Sequence, residues 1–308
     1  MTYQIMRVSV KVPATTANLG PGFDALGLAL TLWNETAFEV ADGFSLRIEG
    51  EGAESLVADH ENLIVRAARR AYETAGRQMP PLGIRCINRI PLGAGLGSSA
   101  AAIVTGLLGA NALLGEPLSS EEILNLAVDM DGHPDNAAPA LLGGLAVSTM
   151  DEGRVIAHRI VVGATGLPPL SVTVVVPDFD FPTRKARAAL PEQVPLKDAV
   201  HNISRAVLVA EALRTGDLEL LGRAMDDALH QPYRLPLIPG AREAMEAAKR
   251  AGAAAAALSG AGPGLVAFSA KPEPGISASM QRAFEAAGLR ARSFELEVSQ
   301  NGAEVGEL

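Results

Sequence analysis

A chain of 308 residues allows one large domain or two ordinary ones, at roughly 100 to 200 residues each, and its 48% hydrophobic content excludes a disordered segment or a disulfide-stapled mini-protein. Lys and Arg number 26 against 35 Asp and Glu, so the formal charge of −9 repels polyphosphate backbones and nucleic acid is not an expected partner. The single cysteine, Cys86, can form no internal disulfide and has no CxxC partner for zinc, which fits a reducing, cytoplasmic setting.

Residues 4–13 alternate branched apolar and polar side chains like a half-buried strand, and then enter a turn-rich segment at 14–27. Further strands are predicted at 36–40, 45–48 and 83–87, with a helix at 62–75 between the last two. After Pro91 comes a glycine-rich loop, then a helix over 98–114. A second helix is opened by Ser119 or Ser120 with Glu122 in its first turn, and a loop follows at 131–136. The apolar run 100–114 is broken by Thr105, Gly106, Gly109 and Asn111 and is too short to span a bilayer, so it reads as a buried helix. The N-terminus lacks the apolar run of a signal peptide, and no membrane partner is expected.

The stretch 163–169 is the best linker, placing a boundary near residue 160 and two domains at 1–160 and 161–308. The second half opens with a buried strand at 170–177. Helices are predicted at 196–215, 218–230 and 241–251, followed by strand, turn, strand in 253–268 and a last helix and strand around 277–296. The polar, acidic tail 298–308 is expected to fray. Pattern alone therefore gives a mixed α and β chain in two halves.

The segment PLGAGLGSSA (91–100) sets Gly93, Gly95 and Gly97 ahead of Ser98, Ser99 and a helix without early acids. Glycines let backbone N–H groups converge on an anion, and a helix N-terminus favours negative charge, so phosphate is the natural guest. The alternative is an ordinary loop with Ser98 as helix cap. No Lys precedes the serines, so this is not a Walker A loop, and no Rossmann pattern fits.

PLGAGLGSSA resembles the phosphate-binding motif of the GHMP kinases, the superfamily of galactokinase, homoserine kinase, mevalonate kinase and phosphomevalonate kinase. PATTANLGPGFDALGL (13–28) resembles its N-terminal substrate loop, and LSGAGPGLVAF (258–268) its third, glycine-rich motif. Within the superfamily, NLGPGFD, GHPDNAAPALLGG (132–144) and HQPYRLPLIPG (230–240) are similar to the homoserine kinases. The resemblance implies an α+β, two-domain GHMP kinase fold, with an N-terminal ribosomal-S5-domain-2-like part, a C-terminal ferredoxin-like part and the active site between them.

It also implies roles, with ATP and Mg²⁺ as cofactors and L-homoserine as acceptor. ATP would meet Pro91, Leu92, Gly93, Ala94, Gly95, Leu96, Gly97, Ser98, Ser99, Ala100 and Ala101, with Asn62 at the adenine; the alternative for Asn62 is a plain helix cap. Mg²⁺ would be held by Ser99 and Asp131. Relatives usually carry Glu at the second position, so the shorter reach admits an intervening water or a role for Asp129. Arg187 and Arg234 would clamp the acceptor carboxylate, Asn18 and Asp24 its ammonium, and Asn136 its hydroxyl.

Each has a plainer alternative: Arg187 as a solvated helix charge, Arg234 as a loop residue, Asn18 and Asp24 as turn formers. Thr183 would stabilise the transferring group or cap the helix of RKAR, and His133 joins the acceptor contacts as a loop-ordering group, not an assigned base. The resemblance implies phosphorylation of L-homoserine to O-phospho-L-homoserine in threonine biosynthesis, by a homodimer. Open alternatives are a kinase for another small alcohol such as mevalonate, and a non-catalytic nucleotide-binding protein of this fold.

Overall fold

Residues 7–163 and 170–308 are described by the structure, a computed structural model, and they form two sheets with helices packed against each. The expected linker at 163–169 and the first residues of the expected strand at 4–13 lie outside the described residues, apart from Gly163.

The first sheet is built around β1 (Arg7–Ala17) and β2 (Leu26–Val40), antiparallel along their length with a register shift between Pro13 and Ala14. Pro13 has no N–H for the ladder, so the pairing slips there. The far edge of β2 is shared. Residues 35–40 pair with β4 (Leu82–Asn88), and residues 26–28 pair with β5 (Leu145–Asp151), which forms a hairpin with β6 (Arg154–Ile160). β3 (Ser45–Gly50) lies parallel to β4, the crossover being α1 (Leu63–Thr74).

Helix α2 (Ser98–Leu113) is apolar around its circumference because it is covered on nearly every side, as its composition predicts. Gly106 lets α1 approach it, since a Cβ there would meet the Ile64 carbonyl. α3 (Ser120–Asp131) opens on a capping box in which Ser119 Oγ accepts from the Glu122 N–H at 3.2 Å and the Glu122 carboxylate accepts from the Ser119 N–H at 2.8 Å. Gly132, at φ +90°, ends α3, and α4 (Pro134–Leu142) follows with a proline in its first turn.

The second sheet contains β7 (Ser171–Pro177), β8 (Ala255–Leu258), β9 (Leu265–Ser269) and β10 (Ala291–Glu297) in the order β10-β7-β9-β8. The helices α5 (Thr183–Ala188), α6 (Leu196–Thr215), α7 (Leu218–Ala224) and α8 (Gln231–Arg234) intervene before α9 (Ala241–Arg250), and α10 (Pro274–Ala286) joins β9 to β10. Without α5 to α8, the path is strand, helix, two strands, helix, strand, the ferredoxin-like pattern.

Two expectations are corrected. The helix predicted over 218–230 stops at Ala224, because the Asp227 carboxylate takes the backbone N–H groups of Leu229, His230 and Gln231 and folds the chain into a turn. The tail does not fray: β11 (Glu304–Glu307) pairs with the open edge of β1. Its side chains are all exposed, so it adds only a backbone ladder, for which acidic composition carries no signal. On α6, Leu196, Val200, Ile203 and Val207 stand exposed at helical spacing. No helix of the described residues is long and apolar enough to cross a membrane.

Candidate active site

The glycine loop before α2 winds through three left-handed residues, Gly93 (φ +63°), Gly95 (+75°) and Gly97 (+66°). Gly97 occupies the N-cap, no described side chain caps the helix, and its first turn holds no acid. Ser98 begins the helix and does not cap it, so the N-terminal N–H groups stay available to an anion. A Cβ on Gly95 would run into the Ser259 carbonyl, and one on Gly97 into Thr15 Oγ1, whereas Gly93 faces open space.

These close approaches are where three distant segments are stitched together. Ser259 Oγ donates to the Gly95 carbonyl (2.7 Å) and lies 2.9 Å from Thr16 Oγ1; the Gly260 N–H donates to Ala17 O (3.0 Å). Asn18 Nδ2 donates to Gly260 O (2.8 Å) while its Oδ1 accepts from the Asp24 N–H (2.9 Å). The Asn18 amide, expected at the acceptor ammonium, is thus engaged in joining the two halves and shaping the loop that presents Asp24.

A cavity of about 780 Å³ opens beside this junction. Of the expected ATP contacts, Leu92, Gly93, Ala94, Gly95, Leu96, Gly97, Ser98, Ser99 and Ala100 line it, but Pro91 and Ala101 do not. Both are buried, and the Ala101 side chain packs into the core beneath the helix. At the apolar end stand Ile48, Leu56, Val57 and Leu63, with the Cys86 thiol, whose pKa burial pushes up to about 11. Asn62 borders this end as the cap of α1. Its Oδ1 accepts from the Ile64 N–H (3.0 Å) and its Nδ2 donates to Val57 O (2.7 Å), so the amide holds the wall in place.

The other end is charged, lined by Asp24, Asp131, His133, Asp135, Arg187 and Arg234 with Asn136 and Thr183. Arg187 Nη2 reaches both oxygens of Asp24, at 2.8 and 2.9 Å, with the His133 ring 3.4 Å away. The Arg187 and Arg234 guanidinium groups lie 5.4 and 5.1 Å from the Phe23 ring centre. Arg234 is only 2% exposed and donates from Nε to Ala186 O (3.2 Å). Burial and the nearby Arg187 lower its pKa from the usual arginine value.

Pro182 takes the cap position of α5, so Thr183 is its first helical residue and the alternative capping role is not used. Asn136 Oδ1 accepts from Thr15 Oγ1 at 2.8 Å, beneath the glycine loop. Burial raises the pKa of the Asp131 carboxylate, against the opposing pull of Ser99 and His133. Asp129, weighed as an alternative, is exposed and off the cavity wall. Among the described residues no three His, Cys, Asp or Glu side chains cluster to hold a metal. The oxygen donors Ser99 and Asp131 suit Mg²⁺, which keeps waters and phosphate oxygens as most of its shell.

Asp135 escaped the sequence reading, which took 131–136 as one loop. It is 2% exposed, and its carboxyl is pushed up to about 7, first by burial and then by the charges of Asp24 and Asp131, against the pull of Arg187. The folded protein therefore holds this proton across a window, from about pH 4 to 7, in which the unfolded chain has lost it. Stability falls as the pH rises through the window and levels off above it, the total corresponding to about 4 kcal/mol. Asp135→Asn removes the dependence. Its Tm should exceed that of the unaltered protein by on the order of 5 °C at pH 8 and match it near pH 4, and equal Tm values at pH 8 would contradict the burial.

The family model of the GHMP kinases N terminal domain matches residues 62–144 and the GHMP kinases C terminal model residues 209–286. A homoserine kinase of Moorella thermoacetica is 48% identical, over 96% of this chain and 99% of its own length. One from Synechococcus sp. (strain CC9605) is 44% identical over 96% and 95%. The crystal structure of homoserine kinase from Cytophaga hutchinsonii superposes with a TM-score of 0.87 at 31% identity, covering 99% of both chains. With its ferredoxin-like half and relatives that align from end to end, the chain belongs to the GHMP kinase family, in its homoserine kinase branch.

Proposed function

We propose that the protein transfers the γ-phosphoryl group of ATP to the side-chain hydroxyl of L-homoserine, giving ADP and O-phospho-L-homoserine, the penultimate step toward threonine, in the cytoplasm. The observation that carries this reading is that one cavity joins an uncapped, glycine-lined helix N-terminus to a closely spaced carboxylate and guanidinium. An α-amino acid carries the same two charges in the opposite sense. Its ammonium can take Asp24 and its carboxylate Arg187, with Arg234 as second cation, so the zwitterion exchanges partners with an ion pair already present.

The acceptor oxygen then forms a bond to the γ-phosphorus as the bond to the β,γ-bridging oxygen breaks, and ADP leaves with that electron pair. The loop N–H groups and the α2 terminus stabilise the phosphate charge, Asn136 orients the hydroxyl, and Thr183 faces the group in transfer. The hydroxyl proton goes to Asp135, the buried carboxylate whose pKa of about 7 matches that task and which His133 does not replace. Mg²⁺, held by Ser99 and Asp131, would neutralise charge on the phosphates when bound. Asp131→Asn should weaken Mg·ATP binding in calorimetry, and raise the Mg²⁺ needed for half-maximal turnover, by roughly tenfold, the cost of losing one charged contact. Unchanged values for both would remove Asp131 from the metal.

Mass spectrometry of a reaction containing ATP and L-homoserine tests the whole reading: one equivalent of phosphohomoserine should appear per ADP. ADP without a phosphorylated amino acid would mean hydrolysis and sink it.

A further inference from the structure

Behind the acceptor end, off the cavity wall, lies a buried polar cluster that none of these roles uses. His230 is fully buried, and its Nε2 lies 2.8 Å from the Gly20 carbonyl. A carbonyl can only accept, so Nε2 carries the proton. Arg234 Nη1, which can only donate, lies 3.4 Å from Nδ1, so Nδ1 is a bare acceptor and the ring is neutral. The neutral ring stacks on Phe23 with centroids 5.2 Å apart. Asp227 accepts backbone N–H groups from Leu229 (2.9 Å), His230 (3.0 Å) and Gln231 (2.6 Å), together with Asn202 Nδ2 (2.7 Å), which also donates to Pro21 O (3.2 Å).

Both carbonyl contacts fall on a loop that needs holding. Asn18, Leu19 and Asp24 sit at φ +69°, +34° and +54°, values that side-chain-bearing residues rarely adopt unless surrounding structure enforces them. The cluster grips this loop at Gly20 and Pro21, just before Asp24. One imidazole thus touches the loop that presents the anion and the side chain that presents a cation.

We infer that His230 is a positioning residue for the acceptor site, holding the Asp24 loop through Gly20 and aiming the Arg234 guanidinium through Nδ1, with Asp227 and Asn202 fixing it in place. The inference rests on the acceptor-site reading given above. A histidine that merely filled core would affect stability without distinguishing the two substrates.

The test measures both KM values and Tm for three full-length variants. His230→Leu, which loses both contacts, should raise the KM for L-homoserine at least tenfold and leave that for ATP within twofold. His230→Gln, whose amide can still donate to Gly20 O, should return to within about threefold of the unaltered protein. His230→Asn puts a polar group near Nδ1 but falls short of Gly20, and should give an intermediate rise of threefold or more; it and the glutamine variant decide the matter if the leucine variant does not fold. Equal changes in both KM values, or a lowered Tm with neither KM moved, would overturn the inference. Absence of L-homoserine-dependent turnover in the unaltered protein would instead overturn the functional reading.

Discussion

Gly95→Ala is expected to lower kcat/KM for ATP by at least about 100-fold and to weaken equilibrium ATP binding. Two costs coincide at this residue. Its φ of +75° is strained for any residue with a Cβ, by roughly 1 to 2 kcal/mol, and the new methyl would meet the Ser259 carbonyl. Relief requires the loop to move away from Ser259, breaking the Ser259 Oγ bond to Gly95 O and re-aiming the N–H groups meant for the phosphates. A displacement of about 1 Å in a positioning element can cost 100-fold in rate. Gly115→Ala separates strain from position. It has the same left-handed backbone (φ +82°) beyond the far end of α2, with no described atom within 4 Å of its Cβ, so it should lose some stability and little activity. Equal activity in the two variants would mean that the loop tolerates displacement and is not the phosphate cradle.

Arg187→Leu should lower kcat/KM for L-homoserine by roughly 30-fold to 1000-fold, the 2 to 4 kcal/mol of a lost charged contact, with the KM for ATP little changed. The variant also leaves Asp24 without its partner and removes the positive charge that holds the Asp135 carboxyl down. The acidic limb of the pH–rate profile, which rises as Asp135 loses its proton near pH 7, should therefore move to higher pH. A loss of rate shared equally by both substrates, with the limb unmoved, would mean that Arg187 supports the fold and not the acceptor.

What could be read from the chain beforehand follows from which forces are local. Gly93, Gly95 and Gly97 before two serines announce a backbone cradle, because left-handed geometry and helix initiation are properties of a few consecutive residues. The same holds for α2, whose apolar run, interrupted only by small and uncharged residues, reports its burial, and for the Ser119 capping box. Asp135 was missed because its burial and the approach of Asp24, more than a hundred residues away, arise only in the fold, and no window of sequence contains them. His230 was quoted within a motif without a role, since only the fold brings Gly20 and Phe23 to it. Asn18 shows the converse. Its place in the substrate loop was legible, but that its amide also bonds Gly260 O and the Asp24 N–H could be seen only once the two halves met. The strands β6 and β11 went unrecognised because they are short, largely exposed edge elements held by ladder bonds, and β5 because its buried part is too short to show a period.

Phosphoryl transfer to a zwitterionic amino alcohol is measured as Mg·ATP-dependent ADP release with L-homoserine, D-homoserine, mevalonate and shikimate, against a control lacking acceptor. Turnover with L-homoserine should be at least 100-fold above the control and above mevalonate and shikimate, which have no ammonium for Asp24. Turnover with mevalonate or shikimate equal to that with L-homoserine, or no acceptor-dependent ADP at all from protein that binds ATP, would contradict it.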